Sequence, residues 1–103
     1  MEAAMIVAIV QFDLPSDITL AMATETIFEP SIGKYRALPG LIRKNYLFGN
    51  GKGGGVYLWD SIAAAERTYS TEWRSMMTAR FGSEPTVMYF ESPIEVDNTA
   101  RRQ

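Results

Sequence analysis

Leu41-Ile42-Arg43-Lys44-Asn45-Tyr46-Leu47-Phe48, then Gly49-Asn50-Gly51-Lys52-Gly53-Gly54-Gly55, then Val56-Tyr57-Leu58-Trp59, is the passage on which the fold turns. Bulky and β-branched residues suit a pleated, half-buried surface, and glycine reaches the positive φ that a tight reversal requires. The passage therefore predicts two strands joined by a hairpin. The same loop contains a formal Gly-x-Gly-x-x-Gly match at Gly49, Gly51 and Gly54. A dinucleotide-binding fingerprint needs a helix after its loop, whereas here a strand follows, so the hairpin is the better reading.

Upstream, Pro39-Gly40 stops a helix predicted to open at Ser16 or Asp17, in which Ala21, Glu25, Phe28, Ile32 and Tyr35 share one face. Pro30 lacks an amide donor and its ring clashes with the preceding turn, so it should kink or divide that helix. Before it, the nearly continuous apolar run Met5 to Phe12 reads as a strand. Downstream, Asp60 or Ser61 caps an alanine-rich helix to Tyr69, with a break near Ser70-Thr71 and further helix from Glu72 to Phe81. Gly82 is a natural stop, and Thr86 to Phe90 forms the last strand. Beyond Ser92-Pro93, Ile94 and Val96 alternate with Glu95 and Asp97 as a short arm.

The order β-α-β-β-α-β predicts an α+β, ferredoxin-like fold with a four-stranded antiparallel sheet. One domain is expected over residues 1–103, with a core from about 5 to 92 and an arm from 93 to 103. Two helices cover only one face of such a sheet, yet Met5 to Val10 and Val87 to Phe90 are apolar at both parities. The second face needs a cover, and a second copy applied by two-fold symmetry supplies one, giving a dimeric α+β barrel.

Composition prunes the functions. At 103 residues, with 47% hydrophobic and 21% charged, the chain is ordinarily globular. A net charge of -2 without basic clusters excludes a phosphate-backbone footprint and a polybasic membrane patch, so neither nucleic acid nor membrane is expected as a partner. The opening apolar run is too short to span a bilayer and lacks the flanks of a secretory signal, which makes the cytoplasm the default location. With no His and no Cys, the chain cannot supply a common zinc site, a thiolate nucleophile, a Ser-His-Asp triad or a histidine haem ligand. Neither a metal nor a cofactor is expected.

The chemistry therefore falls to carboxylates, amides, aromatics and cations. If Phe48 pairs with Gly55, Lys44 faces Trp59 and Tyr46 faces Tyr57, making an aromatic pocket floor with one cation. A one-residue slip brings Asn45 beside Trp59 instead. Glu25 interrupts an apolar stripe, and a desolvated carboxylate there would serve as a general base. Trp73, with Tyr69 before it and Met76-Met77 after it, could roof a cavity against the broken second helix. Each group also has a plainer reading, as core filling or as a helix-edge ion pair.

Pro39-Gly40-Leu41-Ile42-Arg43-Lys44, then Gly54-Gly55-Val56-Tyr57-Leu58-Trp59-Asp60-Ser61, then Glu72-Trp73-Arg74, resemble the YdhR-type monooxygenases of the dimeric α+β barrel superfamily. The resemblance spans roughly Met5 to Asn98. It implies a homodimer and a pocket for a small apolar or aromatic molecule. In the cofactor-independent branch of the superfamily, an enolate or phenolate reduces oxygen itself, while the protein deprotonates, orients and excludes water. On that reading Glu25 is the base, Lys44 or Asn45 steadies the anion, and Tyr46, Tyr57, Trp59, Tyr69 and Trp73 bind the substrate. A non-catalytic ligand-binding or stress-associated module, and a cofactor-free isomerase or lyase, are the alternatives.

Overall fold

The computed structural model describes residues 5–101; residues 1–4 and 102–103, the ends of the expected domain and arm, lie outside the described residues. β1 (Met5–Asp13) leads into a helix of three parts: α1 (Leu20–Ala23), a π-helical turn (Thr24–Phe28) and α2 (Glu29–Arg36). Then come β2 (Leu41–Gly49), β3 (Lys52–Trp59), α3 (Ile62–Thr68), α4 (Thr71–Phe81), β4 (Thr86–Ser92) and a 3-10 turn (Asn98–Arg101). The strands form one four-stranded antiparallel sheet in the order β2-β3-β1-β4, the ferredoxin-like α+β arrangement.

The hairpin is tighter than its glycine content suggests. Only Asn50 and Gly51 form the turn, at φ 56° and 73°, and Phe48 pairs with Gly53 rather than with the expected Gly55. Two consecutive positive-φ residues make the turn that best matches strand twist, so pairing starts at once and the glycines join β3. The register moves by two residues, which preserves side-chain parity. Lys44 therefore faces Tyr57 instead of Trp59, Tyr46 faces Gly55, and Asn45 pairs with Val56 on the opposite face. A bulge between Leu41 and Arg43 shifts the register, after which Leu41 pairs with Trp59. Gly54 is obligatory, because a Cβ there would lie 1.9 Å from the Val10 carbonyl oxygen.

Hydroxyl caps start the helices. Thr19, rather than Ser16 or Asp17, accepts the amide of Met22; Ser61 accepts that of Ala64, and Ser70 that of Trp73. Gly82, in the left-handed conformation, ends α4. Pro30 acts as expected on the first helix, and the π turn is how the chain accommodates it. Pro30 cannot donate to the Thr26 carbonyl four residues earlier, and that oxygen instead accepts from Arg80 Nη2 at 3.4 Å. The widened turn also resets the buried face: Ala23 and Phe28 are both buried, while Ala21 and Glu25 are exposed. The expectation of a Glu25 set into an apolar stripe is thereby corrected, since an even α-helical count does not hold across a π turn.

On the helix-covered face of the sheet, Ile6, Ala8, Val10, Tyr57 and Trp59 pack against Ala64, Ala65, Tyr69 and Trp73. On the other face, cross-strand rows run Phe90, Val7, Leu58, Arg43 and Met88, Ile9, Val56, Asn45. Those rows are apolar across β4, β1 and β3, yet Met88 is 55% and Phe90 47% exposed. The tail beyond β4 is not a strand; its Glu95 reaches Arg43 on β2 at 3.6 Å, with Ile94 and Val96 exposed. No helix among the described residues is long and apolar enough to cross a membrane.

Candidate functional site

Lys44 lies on the covered face of β2, and the bare backbone of Gly55 gives it room. A Cβ at Gly55 would come 2.9 Å from Lys44 Cε and 3.1 Å from Tyr57 Cε1, so only glycine lets the lysine stem lie along the sheet. The Nζ then sits 3.4 Å from the Tyr35 ring centroid, 4.0 Å from Tyr46 and 4.6 Å from Tyr57. Ring faces attract a cation, but they do not replace its hydration. Among the described residues Lys44 makes no ion pair. Burial first, and the nearby Lys34 second, lower its pKa from the usual lysine range to about 7.

The cage is braced by the helix. Ser31 Oγ donates to the Phe28 carbonyl at 2.8 Å and so accepts from the Tyr46 hydroxyl, 2.6 Å away. The Phe28 and Tyr46 rings lie 4.9 Å apart, and Tyr35 meets Tyr57 edge-on at 5.6 Å. Burial raises the pKa of Tyr46 and, more strongly, that of Tyr57, keeping both phenols protonated at neutral pH.

Two spaces meet at this cage. Inside is a chamber of about 50 Å³, walled largely by Val10, Phe12, Phe28, Met77 and Phe81. Outside, between α2 and β2, a groove of about 400 Å³ is lined by Ile32, Arg36, Leu41, Ile42 and Arg43. Tyr35, Lys44 and Tyr46 belong to both and form the partition. The chamber has room for water-sized guests only, whereas the groove is in the range that holds a small ligand. Among the described residues, neither is lined by a carboxylate.

The residues singled out in the sequence thus separate. Lys44, Tyr46 and Tyr57 come together. Trp59 is fully buried and donates Nε1 to the Tyr69 hydroxyl at 3.2 Å; Tyr69 in turn meets Trp73 edge-on at 5.0 Å. These three belong to the core and line neither the chamber nor the groove. Trp73 borders a different surface groove with Lys34, Leu38 and Met76. Asn45 is exposed on the open face, and Glu25 is exposed and outside both spaces. Conversely, Ser31, Gly55 and the cage role of Tyr35 were not anticipated. Ser31 and Tyr35, four apart on the helix, are the signal for one shared face.

No protein-family model matches the chain, and no curated protein matches it in sequence. Solved structures do resemble it. A protein of unknown function from Nitrosomonas europaea, NE2512, superposes with a TM-score of 0.68 at 14% identity, over 94% of this chain and 97% of that one. The ActVA-Orf6 monooxygenase of Streptomyces coelicolor, solved with the ligand nanaomycin D, gives 0.67 at 16% identity, over 91% and 92%. A candidate antibiotic biosynthesis monooxygenase from Caulobacter crescentus gives 0.64 at 18% identity, over 90% and 92%. At these identities the likeness speaks for the ferredoxin-like fold alone.

Proposed function

We propose that this chain is a cofactor-independent monooxygenase of a small aromatic or quinol-type molecule, a YdhR-type member of the dimeric α+β barrel superfamily. The observation that carries the reading is the Lys44 amine, desolvated among three tyrosines and standing between a ring-sized groove and a chamber too small for any ring. With its pKa near 7, the amine is present in both protonation states at neutral pH. As ammonium it holds the anion of an acidic phenol or anthrone enol that enters the groove ionised. Lys44 thereby takes the anion-steadying role, and Glu25, exposed and outside both spaces, takes no part.

The electron-rich anion reduces dioxygen held on the chamber side. For a ring methylene the balance is one dioxygen consumed, two hydrogens lost from carbon, one oxygen atom gained as carbonyl and one released as water. No external reductant is required. The absence of His and Cys from the sequence, and the likeness to two monooxygenase folds, support the reading. The exposed apolar face around Met88 and Phe90 supports a homodimer joined through the sheet.

Oxygen uptake by the purified protein, without added flavin or metal, tests the proposal against reduced anthrones, naphthols and hydroquinones. Protein-dependent uptake lost in Lys44→Met is expected. Uptake no faster than autoxidation across the panel would leave ligand binding as the function.

A further inference from the structure

We infer that the groove between α2 and β2 seats a planar aromatic monoanion, a substrate that arrives already ionised and lays its charged oxygen against the Lys44 ammonium. The inference rests on the aromatic-substrate reading above and adds the charge of the molecule and the side from which it enters.

Charge complementarity carries it. Arg36, Arg43 and Lys44 line the groove and, among the described residues, no Asp or Glu does. Arg43 lies 3.6 Å from Glu95 in an exposed pair at the rim, and Arg36 makes no ion pair among the described residues. Among the described residues the groups facing Lys44 carry no negative charge: Lys34 and Tyr35 on α2, Tyr46 on its own strand, and Tyr57 on β3. On the chamber side Arg80 of α4 adds another cation. A desolvated ammonium without a counter-ion is costly, and the aromatic faces offset only part of that cost. An anion in the groove completes it.

Shape agrees with charge. Ile32 and Ile42 are exposed at 38% and 45%, and with Tyr35 and Tyr46 they offer apolar walls to a flat ring. The groove, at about 400 Å³, accepts up to three fused rings, and the chamber, at about 50 Å³, accepts none. The ring therefore binds on the outer side of the Lys44 partition. Because burial brings Lys44 down to about 7, an anion bound above that pH must draw a proton onto the amine. Affinity is level below about pH 7 and weakens as pH rises beyond it.

The test is calorimetric titration of the intact protein under nitrogen with naphthoate, with the hydroxynaphthoquinone anion and with uncharged naphthamide. The anions should bind at least about tenfold more tightly than naphthamide, the scale of a charge-assisted hydrogen bond. Lys44→Met should abolish that preference, bringing the anions to within about twofold of naphthamide. Tight binding of naphthoate alone assigns a carboxylate, and of the quinone alone an enolate; either supports the inference. In the wild type, buffers of differing ionisation enthalpy should report proton uptake at about pH 8, a readout independent of any variant. Binding of both anions no tighter than that of naphthamide, a preference that survives Lys44→Met, or absence of proton uptake overturns it. Oxygen is absent from this experiment, so anion binding by a protein that consumes no oxygen would sink only the oxygenase reading. Turnover of a neutral quinol without anion preference would sink only this one.

Discussion

The covered face of the sheet carries two aromatic groups that touch through Tyr57 and differ in one respect. In the Trp59, Tyr69 and Trp73 group, rings meet edge-on and the Trp59 N–H finds the Tyr69 oxygen. In the Tyr35, Tyr46 and Tyr57 group, the rings surround an ammonium. The first holds no charge and lies deep between sheet and helices, with Trp73 Nε1 its buried donor left unpaired among the described residues. The second leaves a charge with no counter-ion among the described residues beside open space, an arrangement that stability alone would not favour. Aromatic composition does not separate core from site; the unmet electrostatic demand does.

The largest effect that would sharpen this contrast is expected in the core. Trp59→Ala should cost about 3–5 kcal/mol, read as a loss of urea midpoint, because it opens a cavity at a fully buried position and orphans the Tyr69 hydroxyl. A near-neutral result would mean that the two groups do not differ as described.

Next is the pH dependence of stability. Lys44 has a folded pKa of about 7 against 10.5 for an ordinary lysine, so above pH 7 the unfolded chain binds the extra proton. Stability should therefore rise by about 1–2 kcal/mol between pH 7 and about 9, and the rise should be absent from Lys44→Met. Above about pH 10 the trend reverses, because Tyr57 and Tyr69, held protonated by burial in the fold, ionise first in the unfolded chain. Denaturant midpoints across this range, in both proteins, measure the difference. A flat wild-type profile would place Lys44 in water.

Tyr46→Phe removes the hydrogen bond to Ser31 and should cost about 0.5–1.5 kcal/mol by thermal denaturation, keeping the ring against Lys44. The smallest effect is expected at Glu25. Exposed and away from both spaces, it should tolerate Glu25→Gln within about 0.5 kcal/mol, and oxygen uptake should be unchanged. A loss of uptake in that well-folded variant would return the carboxylate to the mechanism.

The legible part of the chain was that governed by local chemistry. Strand and helix order, the break at Ser70, the stop at Gly82 and the disturbance at Pro30 follow from propensity, capping and a missing amide, all properties of neighbours in sequence. The grouping of Lys44 with Tyr46 and Tyr57 was within reach because cross-strand pairing has period two, so an error of two residues in register left the face intact. Glu25 was misplaced because a π turn breaks the helical count; Pro30 announces a disturbance of the helix but not that it takes this form.

By itself, then, the sequence determined the β-α-β-β-α-β order, the exclusion of thiol and imidazole chemistry, and the presence of an aromatic group with one cation on a hairpin. Only the tertiary structure decided which aromatics surround that cation. Helix, β2 and β3 meet there: Ser31 supports Tyr46, Gly55 makes way for Lys44, and Tyr35 closes the cage from α2. Whether a lysine is solvated or stranded depends on what the rest of the chain places around it, and no residue encodes that alone.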